Sequence, residues 1–390
     1  MADHPPVPAD RPGWATTRQV SGLDPEGRFV LSVLARRTYH IDARGRLAVA
    51  DEQLPLVDEV ETADGNAELL VRDTDLYPLK PASDVVIAGH AYAPRRASTF
   101  EASVAIGKLE KRVLVVGNRR ASLSTAGEVT ITEPEAIESV RLGYDHAYGG
   151  RDRAAEEKYG NPFEQLAGAW PDAEGRKMLR GASNFAYPRN PCGRGFILEP
   201  SRVALDGLAL PNLEDPDDRL TPERLCAGTL RRWPLQPLPC SLDWFGLLWF
   251  PRCAHFGLIP EHDPFAAPLP EVARGYLPTA SFQPRAGVDA LAANGASPGL
   301  VVPHLRGDET LVLTHLHPRQ FKLAIELPAE RPAMRADGRK GKMLDTVPVI
   351  HTVLIEPDEN RVSIVWRGSA PALRPYLPQE LARMPFEVSW

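Results

Sequence analysis

The sequence predicts a mainly β protein, with antiparallel, sandwich-like sheets at both ends of the chain and a long irregular region rich in proline, glycine and tryptophan between them. Three observations predict it. The 390-residue chain holds 39 prolines, roughly twice average usage; proline lacks an N–H and fixes φ, so such a chain is cut into short elements joined by rigid turns. Apolar, β-branched and aromatic residues recur in short runs bounded by turn residues. Hydrophobic residues are 43% and charged residues 25% of the chain, a balance that buries a large core and excludes wholesale disorder.

In chain order, residues 1–26 read as a flexible segment, because Met1–Pro12 is polar and proline-rich and has no signal-peptide apolar stretch. A single domain is expected over 27–390. Its first β lobe, 27–148, opens with a strand over Arg28–Ile41 and a short partner over Leu47–Ala50, joined by the turn Asp42–Gly45. Further strands are predicted over Asp84–Tyr92, Phe100–Ile106, Val113–Val116, Val129–Thr132 and Ser139–Leu142. The irregular region, 149–303, loses periodicity and offers two short helices, Glu156–Leu166 and Glu271–Tyr276. The second β lobe, 304–390, holds two hairpins: Thr310–Leu316 with Phe321–Leu327, and Val349–Ile355 with Val362–Trp366. Between them, Arg335–Lys342 reads as a basic surface loop without phosphate-loop spacing.

Charge and cysteines narrow the function. Net charge is −6, and the pairs Arg95-Arg96 and Arg119-Arg120 are too short to make a basic face, so no nucleic-acid partner is expected. No apolar run approaches the roughly eighteen residues of a membrane span, so no membrane partner is expected either. Cys192, Cys226, Cys240 and Cys253 are irregularly spaced and read as reduced thiols of a cytoplasmic protein, with one disulfide among them left open.

A search for chemistry finds no nucleophile elbow, zincin helix or dinucleotide turn. No catalytic residue, metal or cofactor is therefore expected. His315-Leu316-His317 is half of a zinc site without a third ligand nearby in sequence. A hydrolase that uses His255, His262 or His146 with a carboxylate stays open as the alternative, with Cys253, Glu261 and Asp263 close to the first two.

Two glycine-rich segments stand out. Tyr144-Asp-His-Ala-Tyr148-Gly149-Gly150 and Asn190-Pro191-Cys-Gly193-Arg194-Gly195-Phe196 place sharp turns beside aromatic and arginine side chains, which suits either structural corners or a recognition surface. Trp233, Trp244, Phe245, Trp249 and Phe250 form either a partner-facing apolar patch or a core beneath long loops.

At these segments the sequence resembles a family of uncharacterised function encoded beside type VI secretion spike genes. Matching stretches are Asp75–Ala91, which reads D-x-x-x-x-K-P-x-x-D-x-x-x-x-G-x-A, then Tyr144–Gly150, Asn190–Phe196, Leu210–Pro216, Trp249–Arg252 and Asp345-Thr346. They run from about Gly27 to Gly368, and Leu225–Trp249 departs from the pattern. The resemblance implies an adaptor or chaperone of the donor cytoplasm that binds a secreted effector, the spike protein VgrG or its PAAR cap, and helps load the effector. Tyr144, Tyr148, Asn190, Arg194, Phe196, Trp249 and Arg252 are the partner-binding residues it suggests, with Gly149, Gly150, Pro191, Gly193 and Gly195 as structural turns.

Overall fold

The computed structural model describes residues 15–24, 27–64, 66–77, 79–161, 168, 183, 185–228, 230–255, 289–339 and 341–390. Two sheets dominate. The larger runs, edge to edge, Thr16–Leu23, Phe29–Ile41, Arg361–Pro371, Val349–Glu356, Ser83–Ile87 and Val301–Val302, with Leu47–Val49 also paired to Phe29–Ile41. The second runs Leu213–Glu214, Leu109–Val116, Thr99–Ile106, Thr310–Thr314 and Lys322–Glu326. Every pair in the two sheets is antiparallel except Val349–Glu356 with Ser83–Ile87.

Both sheets interleave the two β stretches expected from sequence. Arg361–Pro371 and Val349–Glu356 lie between Phe29–Ile41 and Ser83–Ile87, and Thr310–Thr314 pairs with Thr99–Ile106. Strands 27–116 and 301–371 are thus built into the same bodies.

Side chains alternate across a strand, so the register sorts the faces of the larger sheet. Tyr39, Ile364, Trp366, Val353 and Val85 fall on one face and join Val104, Val115, Leu311 and Leu323 of the second sheet in a single buried cluster. That is the sandwich. Toward one end, Leu31, Val33 and Ala370 meet a small three-stranded sheet instead. The opposite face carries a row with polar members, in which Arg36 pairs across with Val365, Val365 with Thr352, and Thr352 with Asp84, next to an apolar cluster of Leu34, Val365 and Leu56.

Several local expectations change. Thr16–Leu23, read as part of the N-terminal segment, is an edge strand over its full length against Phe29–Arg36. The strand expected at Asp84–Tyr92 splits into Ser83–Ile87 and His90–Ala97, because the chain leaves the large sheet at Gly89 and pairs with Ile137–Arg141. Arg335–Lys342 is not a loop: Ala333–Arg339 and Lys342–Asp345 form a hairpin, and Phe386–Ser389 pairs along the other side of the first strand. A helix covers Arg153–Tyr159, started by Asp152, whose side chain accepts from the Ala155 N–H at 2.9 Å, and stopped at Gly160 with φ +77°. The remainder of the expected Glu156–Leu166 helix from residue 162 onward, and the Glu271–Tyr276 helix, lie outside the described residues. All four cysteines are free, and among the described residues no helix is long and apolar enough to cross a membrane.

The interleaving makes a direct prediction. Residues 27–148 expressed alone lack the two strands that separate Phe29–Ile41 from Ser83–Ile87, so the fragment is expected to show no cooperative urea transition by far-UV circular dichroism, whereas the full chain does. A cooperative transition in the fragment would mean the first β stretch folds on its own.

Candidate functional site

The two glycine-rich turns, more than forty residues apart in sequence, meet in space. Tyr148-Gly149 and Arg194-Gly195 form a short parallel pair. Arg194 N–H donates to Ala147 O at 3.0 Å, Phe196 N–H to Gly149 O at 2.9 Å, and Gly150 N–H to Asn190 O at 2.8 Å. Asn190 is the clamp: its buried Nδ2 donates to Tyr144 O at 2.8 Å and to Tyr148 O at 3.0 Å. Gly149 has φ +149°, and a Cβ there would stand 2.1 Å from Asn190 O; Gly150 has φ +101°, and its Cβ would stand 2.5 Å from Gly193 O. Glycine is required at both positions by backbone angle and by close approach.

This crossing is also the seam between two cores. Tyr144 points into the main cluster, with its ring 5.2 Å from Trp249 and 5.4 Å from Phe245. Tyr148 and Phe196 point into a second cluster, both 5.3 Å from Tyr187, with Trp233 packed beyond. Six of the seven residues singled out from sequence, Tyr144, Tyr148, Asn190, Phe196, Trp249 and Arg252, are thus buried. Arg194 reaches the surface. Trp233, Trp244, Phe245 and Trp249 are core beneath loops, and half-buried Phe250 packs on the second cluster.

Around Arg194 the seam carries a fixed charged rim. Arg194 Nε donates to Asp145 O at 2.8 Å and its Nη1 to Asn212 Oδ1 at 3.1 Å. Asn212 Nδ2 donates to Val116 O at 2.9 Å, which aims Oδ1 at both Arg194 and His146 Nδ1, the latter at 3.1 Å. With an acceptor opposite Nδ1, His146 carries its proton there and leaves Nε2 toward Asp145, 3.7 Å away. Burial first, then the Arg194 cation, hold the His146 pKa below the usual histidine range, so the ring is neutral near pH 7. Arg141 binds the Asp145 carboxylate from the other side. Arg141 and Asn212 are the rim residues that sequence reasoning left unassigned, and Asn212 lay in the matched Leu210–Pro216 stretch, as Asp145 and His146 lay in Tyr144–Gly150.

The remaining candidates separate. His255 is buried, and burial followed by the Arg252 cation lowers its pKa; it shares no neighbour with His146 among these contacts. His262 lies outside the described residues. The His315/His317 half-site does not form one face, because His315 has turned to φ +60°. His317 is occupied at both ring nitrogens: Nδ1 accepts from the Arg319 and Gln320 amides at 3.1 and 3.2 Å, and Nε2 faces Asn360 Oδ1 at 3.1 Å. Among the described residues no three His, Cys, Asp or Glu side chains converge as a metal site.

Beneath the rim, buried Asp243 accepts the Trp244 amide at 2.8 Å, and burial pushes its pKa up to about 7 against the pull of that amide and of Arg141. The folded carboxyl thus keeps a proton that an unfolded aspartate, with a pKa of about 3.9, gives up. Stability contributed by this group falls as pH rises between those two values. Asp243→Asn is expected to raise the urea midpoint at pH 8 relative to wild type and to change it much less at pH 4; an equal effect at both would show that the carboxyl does not titrate in that window. At the crossing, Gly149→Ala is expected to cost about 3 kcal/mol or more in urea unfolding, since backbone strain alone is worth about 1–3 kcal/mol and the Cβ also clashes.

The chain matches the model of a family described as an uncharacterized protein conserved in bacteria (DUF2169) over residues 26–367. No curated protein and no solved structure matches it. The match takes in both main sheets from Phe29 onward, the double turn and its rim, and on that extent the chain belongs to the DUF2169 family.

Proposed function

We propose that this protein is an accessory of a bacterial type VI secretion cluster, an adaptor or chaperone that holds a secreted effector in the cytoplasm and helps load it onto the VgrG/PAAR spike. The observation that carries the reading is the double turn. Two glycine-rich motifs, both among the stretches that resemble spike-associated proteins, are spent on one rigid crossing that holds Arg194 by two hydrogen bonds at the surface. The Arg141–Asp145 ion pair stands beside it, so a partner meets preset charges and loses little freedom of its receptor on docking.

The test is affinity capture of the tagged protein from its native host, read by mass spectrometry, with and without the neighbouring effector gene. Recovery of the effector, VgrG or the PAAR cap is expected, and Arg194→Lys is expected to weaken recovery while leaving the thermal transition nearly unchanged, because lysine keeps the charge and loses the planar fork. Capture free of every secretion component would sink the adaptor reading. Capture undiminished in the variant would move the contact away from the rim.

A further inference from the structure

Among the described residues the fold buries five arginines, and four of them face a carboxylate. Arg36 meets Asp75 at 3.3 Å, Arg37 meets Glu330 at 2.6 Å, Arg252 meets Asp73 at 2.8 Å, and Arg119 meets Glu214. Arg367 is the exception: it is 6% exposed, and its one described polar contact is to a backbone carbonyl. Burial pulls its pKa down to about 10 with no acidic neighbour to hold it up, so the side chain is still cationic at neutral pH.

The guanidinium is only half used. Nη1 donates to Lys80 O at 3.0 Å, whereas Nε is enclosed without a partner, and Nη2, on the same edge as the Nε–H, makes no described hydrogen bond. The other four arginines also leave Nε unpartnered, but in each a carboxylate already answers the charge through another nitrogen. Arg367 projects from the outer face of Arg361–Pro371 between buried Val365 and half-buried Ser369, with half-buried Val349 opposite it on the neighbouring strand. The side chain therefore stands where the cover of this face thins. Its surroundings bring no negative charge: Lys80 is taken by Asp84 at 2.7 Å, and His304 and His351 are kept neutral by burial first and then by cations that include Arg367.

We propose that the free edge of Arg367 is a binding site for a carboxylate supplied from outside the chain. Two parallel N–H groups match the two oxygens of a carboxylate, and one negative charge answers one positive. A phosphate would bring a further charge and a third oxygen, for which Lys80, already spent on Asp84, offers nothing. The same chemistry answers every other buried arginine described in this molecule. This site is separate from the Arg194 rim, and it does not depend on the adaptor reading.

The experiment follows thermal unfolding of the full chain near neutral pH in sodium acetate or sodium phosphate, with ionic strength held constant by sodium chloride, and the nuclear magnetic resonance signal of the Arg367 Nε–H in the same titrations. Acetate well above half-saturation is expected to raise the midpoint by about 2 °C over chloride and to move the Nε–H signal. Arg367→Met, which removes the charge, is expected to lose the acetate response, and Arg367→Lys, which keeps the charge and lacks the fork, to lose most of it. If the Met variant misfolds, the Lys variant and the wild-type Nε–H signal carry the test. An absence of any acetate effect beyond chloride, an undiminished effect in the variants, or a larger effect from phosphate overturns the proposal. Triglycine with a free terminus, compared with its amide, separates the sources: binding tighter than acetate and lost in the amide assigns a chain terminus, and binding no tighter than acetate assigns a side-chain or small-molecule carboxylate.

Discussion

A buried carboxylate on the next-to-last strand of the large sheet, Ser83–Ile87, sets the terms for what packs against that end of it. Asp84 is fully buried and accepts four hydrogen bonds: from Lys80 Nζ at 2.7 Å, Asn294 Nδ2 at 2.9 Å, Gly295 N at 3.0 Å and Ala296 N at 3.1 Å. Burial alone would raise its pKa, yet Lys80 and these donors hold it below the usual aspartate range. A buried charge left without its partner costs about 3–5 kcal/mol, so the fold is obliged to bring residues 294–296 to this strand, although they lie some two hundred positions away in the chain. Lys80 is in turn within 3.4 Å of Thr352 Oγ1, and Arg367 donates to Lys80 O at 3.0 Å, which ties the C-terminal strands into the same network.

Two more ion pairs repeat the device. Arg252 reaches Asp73 at 2.8 Å and Phe245 O at 2.7 Å, and Arg36 reaches Asp75 at 3.3 Å and Ser363 Oγ at 3.2 Å. Gly295 runs so close to Asp73 that a Cβ would stand 2.3 Å from the carboxylate, which favours glycine there. A region poor in regular elements therefore does not need its own sheet. Segments 242–252 and 294–297 are placed by buried carboxylates and by Trp244, Phe245 and Trp249, which enter the main core.

How much of this was legible follows from the range of each interaction. Strands with a local partner, such as Thr310–Thr314 with Lys322–Glu326, show in sequence as alternation across a short turn. The hairpin at Ala333–Asp345 does not, because its polar composition imitates a loop and its other neighbour, Phe386–Ser389, is about fifty residues away. The glycines of the double turn were legible as turns, but their meeting was not, since neither segment encodes the other. Aromatic residues and Arg252 look the same in sequence whether they face a partner or a core; burial separates them. Asp75, Lys80 and Asp84 stood out by spacing, yet their role as interior ion pairs depends on Arg36 and Asn294, which no local pattern links to them.

The interior network and the surface meet at Arg36. Its guanidinium spans Asp75 and Ser363 inside the molecule while Nη1 also donates to Pro55 O, so the same cation that pairs with Asp75 fixes the surface segment 54–57. Asp75 repeats the coupling from the other side by accepting the Val57 amide. The double turn has an equivalent support: Tyr144 OH pairs with Ser297 Oγ at 2.8 Å, and Ser297 follows directly on the residues that satisfy Asp84. Both outward features are thus anchored to the buried charges through one or two hydrogen bonds. A change at Arg36 or Asp84 would loosen the 54–57 segment and the rim together without touching either surface, whereas a rim change at Arg194 leaves these buried charges intact.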